Sequence, residues 1–306
     1  MDVEGKRFFM AKEFKGILAA LVTPFDEEKK VNLPAAKKLV RYLIDHGADG
    51  FYVGGSTGEA FLMSNDERKA LLEAVLEENN GEKLVLAHVG GISTADACDL
   101  AVHAERAGAD AISAISPFYY KFNQEEIKQH YLNIVECSEL PMFIYNFPNL
   151  SGFSLTPAML DELAKNKRIA GVKFTSNNFY DMERMKNAHP ELTIWSGFDE
   201  MLLSGLAAGA DGAIGSTYNV LMPIAKRVYE AFKNNDIATA RVYQGMINEM
   251  LDHSIKHANL KVVRQILEME GVPVGSCRAP FLPIKDAGIE DAKFIHEKFV
   301  KFGDQI

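Results

Sequence analysis

The apolar positions of this chain alternate between short dense runs and longer stretches at helical spacing. Residues 17–23 form a compact apolar run ended by Pro24, the pattern of a fully buried strand. Residues 33–45 then place Leu39, Val40, Leu43 and Ile44 on one helical stripe, closed by Gly47-Ala48-Asp49-Gly50. Phe51-Tyr52-Val53 predicts a second strand. Ser64, with Glu67 three residues on, predicts a capping box and a helix to about Asn79. The order repeats down the chain. Strands are predicted at 84–88, 111–115, 141–145, 169–176, 192–196 and 213–214, and helices at 94–107, 124–137, 157–165, 179–188, 200–208 and 220–232.

Eight strand-then-helix units in one run predict an α/β fold, a (β/α)8 TIM barrel. Gly-Ala-Asp recurs at Gly47, Gly108 and Gly209, each time between a helix and a strand. Glycine there fits the left-handed residue that ends a helix, a structural role. Further helices are predicted at 238–254, 262–270 and 292–299, with Pro280 and Pro283 in the last connection. No Gly/Ser linker or charge block sets them apart. The expected organisation is a barrel over 1–234 that carries the active site, with 235–306 as a C-terminal helical extension packed on it.

Composition narrows the partners. The chain has 306 residues, 47% hydrophobic and 25% charged, which is ordinary globular material for one α/β barrel. A net charge of -9 argues against nucleic acid and anionic membranes. No apolar run has the length of a membrane span, and residues 1–15 lack the apolar core of a signal peptide. Cys98, Cys137 and Cys277 are odd in number, widely spaced and without a CxxC pair. They are expected to be reduced thiols in a cytoplasmic protein, neither a disulfide frame nor a zinc site.

In such a barrel, ligands bind at the C-terminal ends of the strands. Lys173 sits at the end of the sixth strand. Either it reaches water along its stem, or it is held neutral, as Schiff-base attack on a carbonyl requires. Tyr145 ends the neighbouring strand and could relay a proton or simply bond the backbone at the rim. Gly54-Gly55-Ser56-Thr57-Gly58-Glu59 offers backbone N–H groups and hydroxyls as an anion cradle, or else a tight turn into the next helix. It is no Walker loop, because no GK[ST] follows. Gly197-Phe198-Asp199-Glu200 could bind sugar hydroxyls or cap the helix behind it. Gly215-Ser216-Thr217-Tyr218-Asn219 is equally polar. His46, His103, His130 and His189 fall in or beside helices, and only His88 ends a strand, so no metal is expected.

Taken together these segments resemble the dihydrodipicolinate synthase/N-acetylneuraminate lyase superfamily over essentially the full length. The carriers are the Gly54–Glu59 cradle, Tyr145-Asn146-Phe147-Pro148, Gly171-Val172-Lys173 and Gly209-Ala210-Asp211-Gly212-Ala213-Ile214-Gly215-Ser216. The resemblance implies a class I aldolase without cofactor, working through a covalent imine at Lys173 with Tyr145 as proton relay. Within the family the synthase branch usually carries an arginine where this chain has Leu150, and leucine cannot hold a second carboxylate. Thr175 and the segments at Gly197 and Ser216 resemble the lyase branch. That branch implies small-molecule chemistry: reversible cleavage of N-acetylneuraminate to pyruvate and N-acetylmannosamine. Ser56 and Thr57 would then hold the pyruvyl carboxylate, and Thr175, Gly197, Asp199, Glu200 and Ser216 the rest of the substrate. Phe147 and Phe174 depart from the pattern. The family also implies a homotetramer, with Tyr119 reaching a neighbouring subunit's site. A sibling aldolase of 2-keto-3-deoxy sugar acids, a dihydrodipicolinate synthase, and a catalytically silent barrel that binds pyruvate or sialic acid are the other readings.

Overall fold

The computed structural model describes residues 13–306; the first twelve residues of the leading charged stretch lie outside the described residues. Eight parallel strands close into a barrel in sequence order. They are β1 Gly16–Ala20, β2 Gly50–Val53, β3 Leu84–His88, β4 Ala111–Ile115, β5 Met142–Asn146, β6 Ile169–Phe174, β7 Thr193–Ser196 and β8 Gly212–Gly215. The ring is sealed by β1 against β8, with Leu18 opposite Ile214. Around it run α1 Leu33–Asp45, α2 Asn65–Asn79, α3 Thr94–Ala107, α4 Gln124–Glu136, a single turn α5 Pro148–Ser151, α6 Pro157–Leu163, α7 Phe179–Ala188, α8 Leu202–Ala207 and α9 Tyr218–Lys233. The chain continues as α10 Ile237–Ser254, α11 Asn259–Met269, α12 Asp286–Ile295 and a last turn, α13 Lys301–Gly303.

Except at Ala170 and Thr193, which are partly exposed, both faces of the strands are buried, which is why the strands read as apolar runs and not as strict alternation. Alternate residues serve two cores. Leu18, Tyr52, Leu86, Phe143, Tyr145, Trp195 and Ile214 fill the barrel interior. Ile17, Phe51, Val85, Ile112, Ile144, Val172 and Ile194 face the helices. Ile247, Met250, Val262, Val263 and Ile266 of the C-terminal helices belong to that same outer core.

Local chemistry sets the boundaries. Ser64 and Glu67 form the expected capping box at the start of α2. Gly47, Gly108 and Gly209 adopt φ of +87°, +91° and +103°. The aspartates of the same Gly-Ala-Asp repeats do more than follow a cap. Asp49, Asp110 and Asp211 each accept a 2.8 Å hydrogen bond from a strand N–H, those of Ile17, Val85 and Ile194. The repeat is therefore a device that pins the start of a neighbouring strand.

Several expectations need correction. Strand β1 stops at Ala20, because the Val22 N–H turns away to the Asn219 side chain. Asp199–Met201 is a 3-10 turn before α8. Helix α9 starts at Tyr218 but breaks at Leu221, where Pro223 has no N–H to give. Helix α12 begins at Asp286, well before the expected 292, and passes into a wider turn at His296–Val300. The thiols are not all free. Cys98 of α3 and Cys137 at the end of α4 form a disulfide, their Cα atoms 5.5 Å apart, and only Cys277 is free. A separation of 39 residues hides this pair in the sequence; packing of α3 on α4 creates it. Among the described residues no helix is long and apolar enough to cross a membrane.

Candidate active site

Parallel register brings the key residues together. Tyr145 on β5 is level with Lys173 on β6, which is level with Trp195 on β7. All three point into the barrel. Lys173 is almost wholly enclosed, at 4% exposure. Its Nζ lies 4.0 Å from the centre of the Tyr52 ring and 4.1 Å from that of Tyr145. Aromatic faces favour a cation, but they replace far less of its hydration than water would supply. Burial therefore wins and lowers the Lys173 pKa to about 7, against the opposing pull of the Asp199 carboxylate. Near neutral pH a large share of this amine is unprotonated.

Tyr145 is buried too, and desolvation raises its phenol to about 12, with the Ser56 and Thr175 hydroxyls drawing it part of the way back. It thus remains protonated at neutral pH, between Lys173 and the cradle hydroxyls. Tyr52 had no assigned role in the sequence reading. Its ring forms the second face beside Lys173, and its hydroxyl donates to Ser113 Oγ at 3.0 Å. The signal was available: period-two alternation turns Tyr52 inward while Phe51 and Val53 face the helices.

The cradle owes its shape to glycine. Gly54 has φ of +68°, and a Cβ at Gly55 would come within 2.6 Å of the Tyr52 ring. The loop thus lies directly on the aromatic wall of the lysine pocket. His88 braces it from below. Its Nδ1 reaches the Gly54 carbonyl at 2.8 Å while the Ile115 N–H donates to Nε2 at 3.3 Å. Burial holds its pKa well below the usual histidine value, so it acts as a neutral bracket.

Across the mouth, the loops after β7 and β8 interlock. Asp199 accepts from the Thr217 N–H at 2.7 Å and from the Ser216 hydroxyl at 3.1 Å. Burial raises its pKa, and the Thr217 N–H opposes that rise. Gly197 and Gly215 are close-approach positions. A Cβ at Gly197 would meet Thr175 Oγ1 at 1.8 Å, and one at Gly215 would meet Asp199 Oδ1 at 2.1 Å. The Thr175 hydroxyl is buried beside the Tyr145 phenol, whose pKa it lowers. Glu200 is half-buried, its pKa raised by burial. Ser56 and Thr175 thus lie at Tyr145, and Asp199, which Ser216 bonds, lies near Lys173. Tyr119 does not join them within the subunit. It is 84% exposed and holds φ of +77°, a backbone state strained for tyrosine. Leu150 is exposed and, with Ser56, Phe61, Phe118 and Phe281, lines an apolar hollow of ≈ 350 Å³. Among the described residues, the cluster with metal-ligand spacing is His46, Glu270 and Asp304, none of which belongs to the mouth.

A buried lysine beside a tyrosine inside a closed (β/α)8 barrel, next to a glycine-led loop of hydroxyls, is an arrangement suited to attack on a carbonyl. The sequence agrees: residues 13–297 match the dihydrodipicolinate synthetase family, and the chain belongs to it. It is 41% identical to N-acetylneuraminate lyase 2 of Escherichia coli O6:H1, over 97% of this chain and 98% of that protein. Among solved structures, CdNal from Clostridium difficile, in complex with mannosamine, superposes with a TM-score of 0.92 at 39% identity, covering 94% of this chain and 100% of that one. N-acetylneuraminate lyase from Fusobacterium nucleatum, complexed with pyruvate, superposes with a TM-score of 0.89 at 39% identity, covering 94% and 97%.

Proposed function

We propose that this protein is a class I aldolase that reversibly cleaves N-acetylneuraminate to pyruvate and N-acetyl-D-mannosamine. The observation that carries the reading is the buried Lys173 amine, its pKa lowered to about 7 between the faces of Tyr52 and Tyr145. The names and bound ligands of its relatives support the choice of substrate, and Leu150 speaks against a second carboxylate.

In this reading the Lys173 lone pair attacks C2 of the open-chain keto acid, and water leaves to give a protonated imine. As the C3–C4 bond breaks, its electron pair moves to the imine nitrogen, forming an enamine. The C4 hydroxyl passes its proton to the Tyr145 oxygen as the phenol gives its own to the substrate carboxylate, and C4 departs as the aldehyde of N-acetylmannosamine. Protonation of C3 restores the imine. Water then adds to C2, releasing pyruvate and the free amine. No cofactor takes part. Ser56 and Thr57 hold the carboxylate through hydroxyls and loop N–H groups. The backbone of Gly197, with Thr175, Asp199, Glu200 and Ser216, receives the hydroxylated chain.

A homotetramer belongs to the same proposal. The strained, exposed Tyr119 and the exposed Tyr120, Leu282 and Phe281 are apolar surface suited to a second copy. So does the division into a barrel over 1–234 and an extension over 235–306. A cytoplasmic location is proposed against the counterweight of the Cys98–Cys137 disulfide; thiol counting on protein taken directly from cells checks it. The test of the activity is a pyruvate-release assay on N-acetylneuraminate beside a panel of 2-keto-3-deoxy sugar acids, with a parallel condensation of pyruvate and aspartate semialdehyde. Preferred turnover of N-acetylneuraminate supports the proposal. Preference for another keto acid assigns a sibling aldolase, and ligand binding without turnover on any of them assigns a silent barrel.

A further inference from the structure

Helix α11, in the C-terminal extension, touches the barrel mouth at two separate places. Arg264 is 2% exposed, and its Nη2 donates to Glu59 Oε1 at 2.6 Å and to the Thr23 carbonyl at 2.6 Å. Its Nη1 donates to the Val274 carbonyl at 2.8 Å. Glu59 is the last residue of the Gly54–Glu59 cradle and is itself 4% exposed. It holds φ of +56°, and its second carboxylate oxygen accepts from the Arg278 N–H at 2.9 Å. Both oxygens of this carboxylate are thus committed to the C-terminal extension.

The couplings to the cradle are direct. The Glu59 N–H donates to the Ser56 carbonyl at 3.1 Å, and the Ala60 N–H to the Gly55 carbonyl at 3.2 Å. Thr23, whose carbonyl Arg264 holds, donates its own hydroxyl to the Gly58 carbonyl at 2.6 Å. Arg264 therefore holds the loop twice just after Ser56 and Thr57, at Glu59 directly and at Gly58 through Thr23. One and a half turns earlier on the same helix, Asn259 Nδ2 donates to Ser216 Oγ at 3.1 Å, and that hydroxyl donates on to Asp199.

We propose that α11 is a positioning strap across the mouth: Arg264, through Glu59, fixes the carboxylate cradle, and Asn259 fixes the Ser216 hydroxyl that orients Asp199. Neither residue touches substrate. A buried ion pair adds little net stability over an apolar pair, so burying Glu59 and Arg264 here specifies geometry more than it strengthens the fold. The strained backbone at Glu59 fits that role, because such a residue persists only where its surroundings over-determine it. The division of labour follows from the contacts. The Arg264 end governs the carboxylate common to pyruvate and the sugar acid; the Asn259 end governs only the hydroxylated part.

This inference rests on Ser56 and Thr57 being the carboxylate site proposed above, and the experiment separates the two. Pyruvate is trapped with borohydride on the wild-type enzyme, and the labelled peptide is mapped. Then the pyruvate concentration that half-saturates trapping is compared with the KM for N-acetylneuraminate in three variants of confirmed fold. Glu59→Gln turns an amide donor toward the Arg278 N–H or the Arg264 guanidinium, breaking one grip. It is expected to raise both constants about tenfold with kcat within about twofold, as a small misplacement of a binding group does. Arg264→Lys keeps the charge and one contact and is expected to fall between that variant and the wild type. Asn259→Ala is expected to raise the KM for N-acetylneuraminate severalfold and leave pyruvate trapping unchanged. Unchanged pyruvate saturation in folded Glu59→Gln overturns the Arg264 arm, and an equal effect of Asn259→Ala on both constants overturns the Asn259 arm. If wild-type pyruvate is not trapped at Lys173, the catalytic reading fails first.

Discussion

Replacing Lys173 by methionine should destroy the activity and stabilise the protein. The side chains are similar in length, but methionine carries no charge into the pocket. A lysine pKa lowered from 10.5 to about 7 corresponds to about 5 kcal/mol between the charged and neutral amine, at about 1.4 kcal/mol per pH unit. The direction in pH follows from proton binding. Below pH 7 the amine is protonated in both the folded and unfolded states, and the full desolvation cost weighs on the fold. Between pH 7 and 10.5 only the unfolded chain binds the proton, so the native enzyme gains stability as pH rises. Above pH 10.5 the cost is gone. The stability advantage of Lys173→Met is therefore largest at pH 6, a few kcal/mol with about 5 as its ceiling, and it shrinks steadily toward pH 10. Urea unfolding of both proteins at pH 6, 7.5 and 9.5 measures it, since other titrating groups cancel in the difference. A variant no more stable than wild type at pH 6, or an advantage that does not change with pH, would refute the claim that burial of Lys173 sets its pKa.

Tyr145→Phe should still form a borohydride-trapped imine with pyruvate but lose turnover on the order of 10²–10⁴-fold; near-normal kcat removes Tyr145 from the proton relay. Gly197→Ala should push Thr175 away, since its new Cβ would meet Thr175 Oγ1 at 1.8 Å. A loss of about 1–3 kcal/mol in unfolding free energy and a raised KM for N-acetylneuraminate check it; wild-type values of both argue that the loop has room. Leu150→Arg should open a carboxylate contact beside Ser56, raising condensation of pyruvate with aspartate semialdehyde relative to wild type. No gain in that side reaction removes Leu150 from the specificity argument.

The barrel was legible because strand and helix periods differ and eight such pairs alternate without interruption. Lys173 and Tyr145 were legible because both end apolar runs, and the register of β5 on β6 sets them level. What escaped the sequence shares one cause, which is distance along the chain. Arg264 meets Glu59 across 205 residues, and Asn259 meets Ser216 across 43. An arginine on an amphipathic helix reads as surface until its partner is placed. Cys98 and Cys137 look unpaired until α3 lies on α4. Asp199 read as a ligand for sugar hydroxyls or a helix cap, and the structure gives one of its oxygens to the Thr217 N–H and the Ser216 hydroxyl. The Gly-Ala-Asp repeat was visible, but its aspartates declared their partners only in three dimensions. Tyr52 is the exception, since alternation alone turns it inward and a lysine pocket needs walls.

The central claim is that Lys173 is the imine-forming nucleophile for a sialic acid substrate. The most direct measurement is borohydride reduction of the enzyme during turnover of N-acetylneuraminate, followed by mass mapping of the modified peptide. The account predicts a single pyruvyl adduct on Lys173, its yield rising with pH through about 7, and none in Lys173→Ala. An adduct on another lysine, or turnover that borohydride leaves untouched, would contradict it.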